Sequence, residues 1–239
     1  MKTEIIIENL SKNFGGYFAL KDVSLHIEKG MFGLIGRNGA GKTTLMRIIA
    51  TLLNKTDGSV SVCGIDSNNP KEIRKKIGYL PQDFSVYPNM RVYEAMDYLG
   101  VLSGLTKSIR KERINDLLHE VNLSSSRGLK VKALSGGMKR RLGIAQALLH
   151  DPQVLIVDEP TAGLDPEERV RFRNLLFEIA GGDRIVLLST HIVEDIEKTC
   201  EKIAVLNKGE LFYNGTLKDF IGAETNLETA FMSKIGGLE

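Results

Sequence analysis

The stretch that most limits the possible folds is Gly36-Arg37-Asn38-Gly39-Ala40-Gly41-Lys42-Thr43-Thr44, which fits G-x-x-x-x-G-K-[ST] without a gap. An apolar run over 31–35 leads in, and Leu45, Met46, Ile48, Ile49 and Leu52 follow at helical spacing. A strand, a glycine loop and a helix are therefore expected in that order. Glycines let the backbone curl so that several N–H groups point inward. With a helix N-terminus they form a concave anion site. Lys42 adds a mobile positive charge suited to terminal phosphates, and the Thr43 hydroxyl is placed to bind Mg²⁺. The stretch points to a nucleoside triphosphate.

Strands are expected over 4–7 and 18–28, the second with Phe18, Leu20, then Val23, Leu25 and Ile27 alternating with polar residues, as in a half-exposed antiparallel sheet. Residues 11–17 between them read as a turn carrying Phe14 and Tyr17. The helix after the glycine loop is expected to run to about Leu53, followed by a strand at 59–63, a short helix at 70–76 and a buried strand at 77–80. From about 84 to 150 three helical patterns, 91–103, 107–121 and 136–149, make an inserted helical segment. Strands return at 154–157, 184–188, 202–207 and 210–213, with helices at 166–180, 192–199, 216–221 and 227–235. The run Val154-Leu155-Ile156-Val157 suits a parallel strand buried on both faces. This alternation predicts a doubly wound α/β sheet.

With 239 residues, 42% hydrophobic and 26% charged, the composition is that of an ordinary globular protein with a sizeable core. A net charge of +2 gives no sign of a dedicated nucleic-acid binder, and no nucleic-acid partner is expected. Cys63 and Cys200 stand far apart without metal-ligand spacing and read as reduced thiols of a cytosolic protein. No signal-peptide core follows Met1, and no apolar run approaches the roughly 18 residues of a membrane-crossing helix. A membrane role is expected to require a partner.

A phosphate loop needs a carboxylate for the metal and a group for the attacking water. Asp158 and Glu159 follow the apolar strand, at the end that faces the ligand crevice of an α/β sheet. Asp158 is expected to hold Mg²⁺ and Glu159 to polarise the water. Without the phosphate loop the pair would read as an exposed acidic strand end. Ser135-Gly136-Gly137 precedes a helix and offers either a second anion site or an ordinary N-cap.

In this order the motifs resemble those of the nucleotide-binding subunit of ATP-binding cassette (ABC) transporters. The resemblance runs from about residue 4 to 220. It rests on Phe14, the loop at 36–44, Gln82, Leu134-Ser135-Gly136-Gly137-Met138, residues 154–160, Gly163-Leu164-Asp165 and His191. It implies an α/β fold: a P-loop NTPase core, mostly parallel sheet flanked by helices, with an antiparallel β subdomain and an inserted α-helical subdomain. Residues 1–222 would form one ATPase domain, with core 1–84 and 151–222 and helical part 85–150, before a short helical tail at 223–239.

The implied cofactors are ATP and Mg²⁺. Asn38, Gly39, Ala40, Gly41, Lys42, Thr43 and Thr44 would hold the nucleotide, and Phe14 would stack on adenine with Tyr17 as its rival. Thr43, Gln82 and Asp158 would bind the metal; Glu159, His191, Lys42 and Gln82 would serve catalysis. Ser135, Gly136 and Gly137, with Asp165 at the same interface, would complete the site of a second ATP-binding subunit, identical or related. A transmembrane permease is the other implied partner, which places this cytoplasmic chain on the inner face of the cell membrane. Met138 stands where the family more often has Gln. With residues 139–142 and 226–231 it resembles the export-type subset. The alternatives are a soluble ABC-type ATPase of the iron–sulfur assembly kind and an importer subunit.

Overall fold

In the structure, a computed structural model, residues 2–84 and 87–235 are described. The expected start of the helical segment at 85–86 and the end of the expected tail, 236–239, lie outside them, as does Met1. The chain opens with a long hairpin, β1 (Glu4–Phe14) and β2 (Tyr17–Glu28). Gly15 and Gly16 turn it at φ 58° and 102°, which glycine adopts without a Cβ clash. The expected aromatic turn over 11–17 is thus mostly strand. Register shifts between Ile7 and Leu10, Leu10 and Lys12, and Lys12 and Asn13 break the two-residue period, which hides the strand from pattern reading. Phe18 departs from expectation too: it is exposed, while Ala19 and Leu20 are buried.

β3 (Gly30–Ile35) leads to α1 (Lys42–Ile49). The helix stops short of Leu53 because Thr51 turns left-handed at φ 59°, and Leu52 faces solvent. Next come β4 (Asp57–Val62), β5 (Ile65–Asp66), α2 (Pro70–Arg74) and β6 (Ile77–Leu80). The inserted helices are α3 (Val92–Leu102), α4 (Lys107–Glu120) and α5 (Gly136–Ala147). The chain then alternates through β7 (Val154–Asp158), α6 (Pro166–Ile179), β8 (Ile185–Ser189), α7 (Val193–Thr199), β9 (Lys202–Asn207) and β10 (Glu210–Thr216). Two short helices close it, α8 (Leu217–Ile221) and α9 (Leu227–Ile235).

One sheet has the order β2-β1-β4-β5 and is antiparallel. The other has the order β10-β9-β3-β8-β7-β6, parallel except for β10 at its edge. β7 and β8 are buried along their whole length. Alternate residues feed opposite layers: Leu155 and Val157 join the core beneath α3–α9, while Val154 and Ile156 join the core shared with the antiparallel sheet. Each such side chain contributes about 1.5–3 kcal/mol through removal from water. The central strands are thereby fixed in register, and their C-terminal ends, where Ile35, Asp158 and Ser189 sit, form a firm rim. Ile114, Leu117 and Leu118 of α4 share the first of these cores.

Candidate functional site

The loop between β3 and α1 lies on that rim, where open α/β sheets leave a crevice. Gly41 has φ 103°, and a Cβ on it would stand 2.5 Å from the Ala19 carbonyl oxygen. A Cβ on Gly36 would stand 2.6 Å from that of Leu206. The loop is wedged between β2 and β9, so only glycine fits at these two points. No side chain caps α1, which leaves its first N–H groups to a ligand. Lys42 is buried; its Nζ donates to the Gly36 carbonyl at 2.6 Å and that of Arg37 at 3.3 Å, and lies 4.0 Å from Glu159 Oε1. Burial lowers the ammonium pKa, and the Glu159 and Asp158 carboxylates oppose that shift.

Asp158 and Glu159 sit at the end of β7, beside the end of β8. Asp158 pairs across the sheet with Ser189, whose Oγ donates to Asp158 Oδ1 at 2.5 Å. The other carboxylate oxygen, Oδ2, is buried without a partner. An orphaned buried carboxylate oxygen is costly unless something cationic meets it. A hard oxygen of this kind is the donor chemistry Mg²⁺ takes, as is a threonine hydroxyl such as that of Thr43; Thr43 lines the cavity, and Asp158 lies outside its lining. Among the described residues no three His, Cys, Asp or Glu side chains converge into a metal cage. Mg²⁺ shared with substrate phosphates needs none.

Glu159 adopts a left-handed backbone, φ 49°. Its N–H donates to the Ser189 carbonyl at 3.0 Å. Its Oε2 accepts from the His191 N–H at 3.2 Å and lies 2.5 Å from His191 Nδ1. Carboxylate and imidazole thus face the cavity as a pair, each from the end of its own strand.

The cavity is about 460 Å³. Residues 38–44, Phe14, Tyr17, Ala19, Gln82, Glu159 and His191 line it. Phe14 and Tyr17 face each other across the hairpin end, and both reach the wall. Lys12 Nζ lies over the Phe14 ring, 4.8 Å from its centroid. Gln82 follows β6 and is exposed; Arg140 of α5 donates to its backbone carbonyl at 2.5 Å. That clamp ties the helical segment to the cavity wall across 58 residues of sequence.

Ser135, Gly136, Gly137 and Asp165 do not line this cavity. Ser135 caps α5, its Oγ accepting from the Met138 N–H at 3.2 Å, and is exposed with Gly136. Asp165 caps α6, accepting from the Glu168 N–H at 2.9 Å. The two helix starts lie side by side: a Cβ on Gly137 would stand 2.4 Å from Glu168 Oε2. Met138 is partly buried and packs into the core beneath the helices. The candidate residues therefore fall into two groups, a cavity group and a paired helix-end group. Ser189 and Arg140 support the first group from behind, through Asp158 and the Gln82 carbonyl, and sequence reading gives neither this role: a serine ending an apolar strand and an arginine in a basic run carry no local signal.

Comparison with known proteins is consistent along the chain. Residues 20–162 match the family described as ABC transporter. The ABC transporter ATP-binding protein NatA of Bacillus subtilis is 37% identical over 222 residues, covering 91% of this chain and 90% of that protein. The Nod factor export ATP-binding protein I of Cupriavidus pinatubonensis is 34% identical over 221 residues, covering 91% and 68%. A solved ATP-binding subunit of an ABC transporter superposes with a TM-score of 0.86 at 28% identity, covering 97% of this chain and 99% of that one. A bacterial ABC transporter cassette described as dimeric gives 0.79 at 28% identity, covering 89% and 98%. Identity at this level over nearly all of NatA, on a fold that superposes from end to end, means that the chain belongs to the ABC transporter family, as an ATP-binding subunit that hydrolyses ATP.

Proposed function

We propose that two such subunits close over two ATP molecules and drive a separate membrane-spanning permease in the direction of export. The observation that carries this reading is the separation of the two residue groups. The cavity is lined by the glycine loop, Lys42 and Glu159, whereas Ser135, Gly136 and Asp165 stand outside its lining, the Ser135 and Asp165 side chains engaged only in capping their own helices. A head-to-tail pair brings the second group of one subunit over the cavity of the other.

In that arrangement the N–H groups of residues 39–44 and the Lys42 ammonium hold the β- and γ-phosphates. Thr43, Gln82 and Asp158 would hold Mg²⁺, which would supply positive charge to neutralise the phosphates. Glu159 takes the proton of the attacking water, and His191 keeps that carboxylate aimed while reaching the γ-phosphate. Phe14 or Tyr17 offers a π face to adenine. Little covalent chemistry is asked of the chain; its work is positioning and charge complementarity.

Among the described residues no helix is long and apolar enough to cross a membrane. The chain would reach the inner face of the membrane through its permease. Export is supported by relatives whose names include Nod factor export and linearmycin resistance.

Glu159→Gln tests the reading. Turnover should fall by about 10²–10⁴-fold while ATP still binds. With ATP the variant should accumulate as a dimer on size-exclusion chromatography. Wild-type turnover in this variant would remove Glu159 as the base. Pull-down from native membranes should recover a multi-span partner.

A further inference from the structure

A buried polar bridge behind the catalytic pair has no part in the account so far. Thr161 Oγ1 donates to Asp195 Oδ2 at 2.6 Å, and Arg173 Nη1 donates to Asp195 Oδ1 at 2.9 Å. Thr161 lies two residues after Glu159, Asp195 lies four after His191, and Arg173 comes from α6. Asp195 is 0% exposed, Thr161 2% and Arg173 8%.

The bridge closes a ring. Starting at Glu159, the chain runs to Thr161, crosses to Asp195 by a hydrogen bond, returns along α7 to His191, and crosses back to Glu159 by the His191 N–H and ring contacts. β7 and β8 stop pairing at Asp158 and Ser189, so beyond that point no ladder holds the two segments together. The bridge takes over where the ladder ends. Two features say that it does more than fill space. A buried ion pair contributes little net stability compared with apolar residues of the same shape, because desolvation offsets the attraction. The left-handed backbone of Glu159 also persists only where its surroundings over-determine it.

We infer that Thr161, Asp195 and Arg173 are positioning residues for ATP hydrolysis: they lock the segments after β7 and β8 to each other, so that the Glu159 carboxylate and the His191 ring hold one geometry. Arg173 extends the lock to α6, whose first residue follows Asp165. A change at the α6 start therefore reaches the catalytic pair through a rigid charged contact. The inference rests on the reading of Glu159 as the base.

The test compares Thr161→Val with Thr161→Ser in the full chain, with kcat expressed per ATP-binding site so that only folded protein counts. Valine keeps the shape and removes the hydroxyl; serine keeps the hydroxyl. Thr161→Val should lower kcat by about ten-fold or more, as sub-ångström misplacement of a base does, with KM within about two-fold. Thr161→Ser should stay within about two-fold of wild type in kcat. Wild-type kcat in the valine variant overturns the inference. So does equal damage by serine, or a parallel loss of kcat and ATP affinity with a lowered Tm, which would make the bridge part of the fold alone. If Thr161→Val does not fold, Asp195→Asn is read in the same way, and failure of both to fold also overturns it. Glu159→Gln run alongside separates the two claims: an inactive Glu159→Gln with a fully active Thr161→Val sinks the bridge and leaves the base.

Discussion

The starts of α1 and α5 make an instructive pair. Both helices begin after glycine-containing loops, and both offer N–H groups and the positive end of a helix dipole. α1 keeps its N–H groups free of side-chain caps, and its glycines are forced: Gly36 and Gly41 lie against the backbone of neighbouring strands. α5 is already capped by Ser135, and a Cβ on Gly136 would meet nothing within 4 Å, at a backbone conformation any residue adopts. The chain's own packing demands glycine at the first site and not at Gly136. On the proposed pairing, close approach by a second molecule would supply the reason for a glycine there. One helix start, α1, leaves its N–H groups to a ligand, and the other, α5, is capped by its own chain.

The sharpest way to break this contrast is Lys42→Ala. Loss of its charge-assisted contacts to phosphate should cost about 1.5–3 kcal/mol, roughly 10–100-fold in the Kd for ATP measured by calorimetry. Unchanged affinity would mean that the α1 start is not the phosphate site. Next in size is the adenine platform. Phe14→Ala and Tyr17→Ala, measured side by side, should divide unequally, with the stacking residue losing about 1 kcal/mol or more and the other far less. The smallest effect sharpens the α5 side. Gly136→Ala should hold stability level or raise it by about 0.5–1 kcal/mol, since alanine is the better helix residue. ATP affinity of the lone subunit should not change, whereas turnover at saturating ATP should fall. If turnover also stayed at the wild-type level, the case for a second molecule at Gly136 would be lost.

Which parts could be read in advance follows from where each constraint resides. The loop at 36–44 is legible because its glycines, Lys42 and Thr43 fall in one short contiguous pattern, and β7 because a strand buried on both faces must be apolar throughout. β1 was cut short in the reading because its bulges interrupt the alternation on which strand recognition depends. Asp195 shows the limit most plainly. Glu194 beside it is exposed and pairs with Lys198 one turn on, while Asp195 is sealed against Thr161 and Arg173. Nothing in the sequence of α7 tells the two carboxylates apart; only the packing of α6 and the loop after β7 does. The Arg140 clamp on Gln82 is hidden for the same reason. Phe14 and Tyr17 remained an open choice because the hairpin brings both to the cavity.

The left-handed backbone at Glu159 has a consequence for how such a chain ages under mutation. A residue with a Cβ costs about 1 kcal/mol there relative to glycine, and asparagine is also easier in that conformation. Drift that answers to folding alone would therefore press Glu159 toward glycine or asparagine while leaving the cradle untouched. On the reading of Glu159 as the base, the variants so favoured would grip ATP without turning it over.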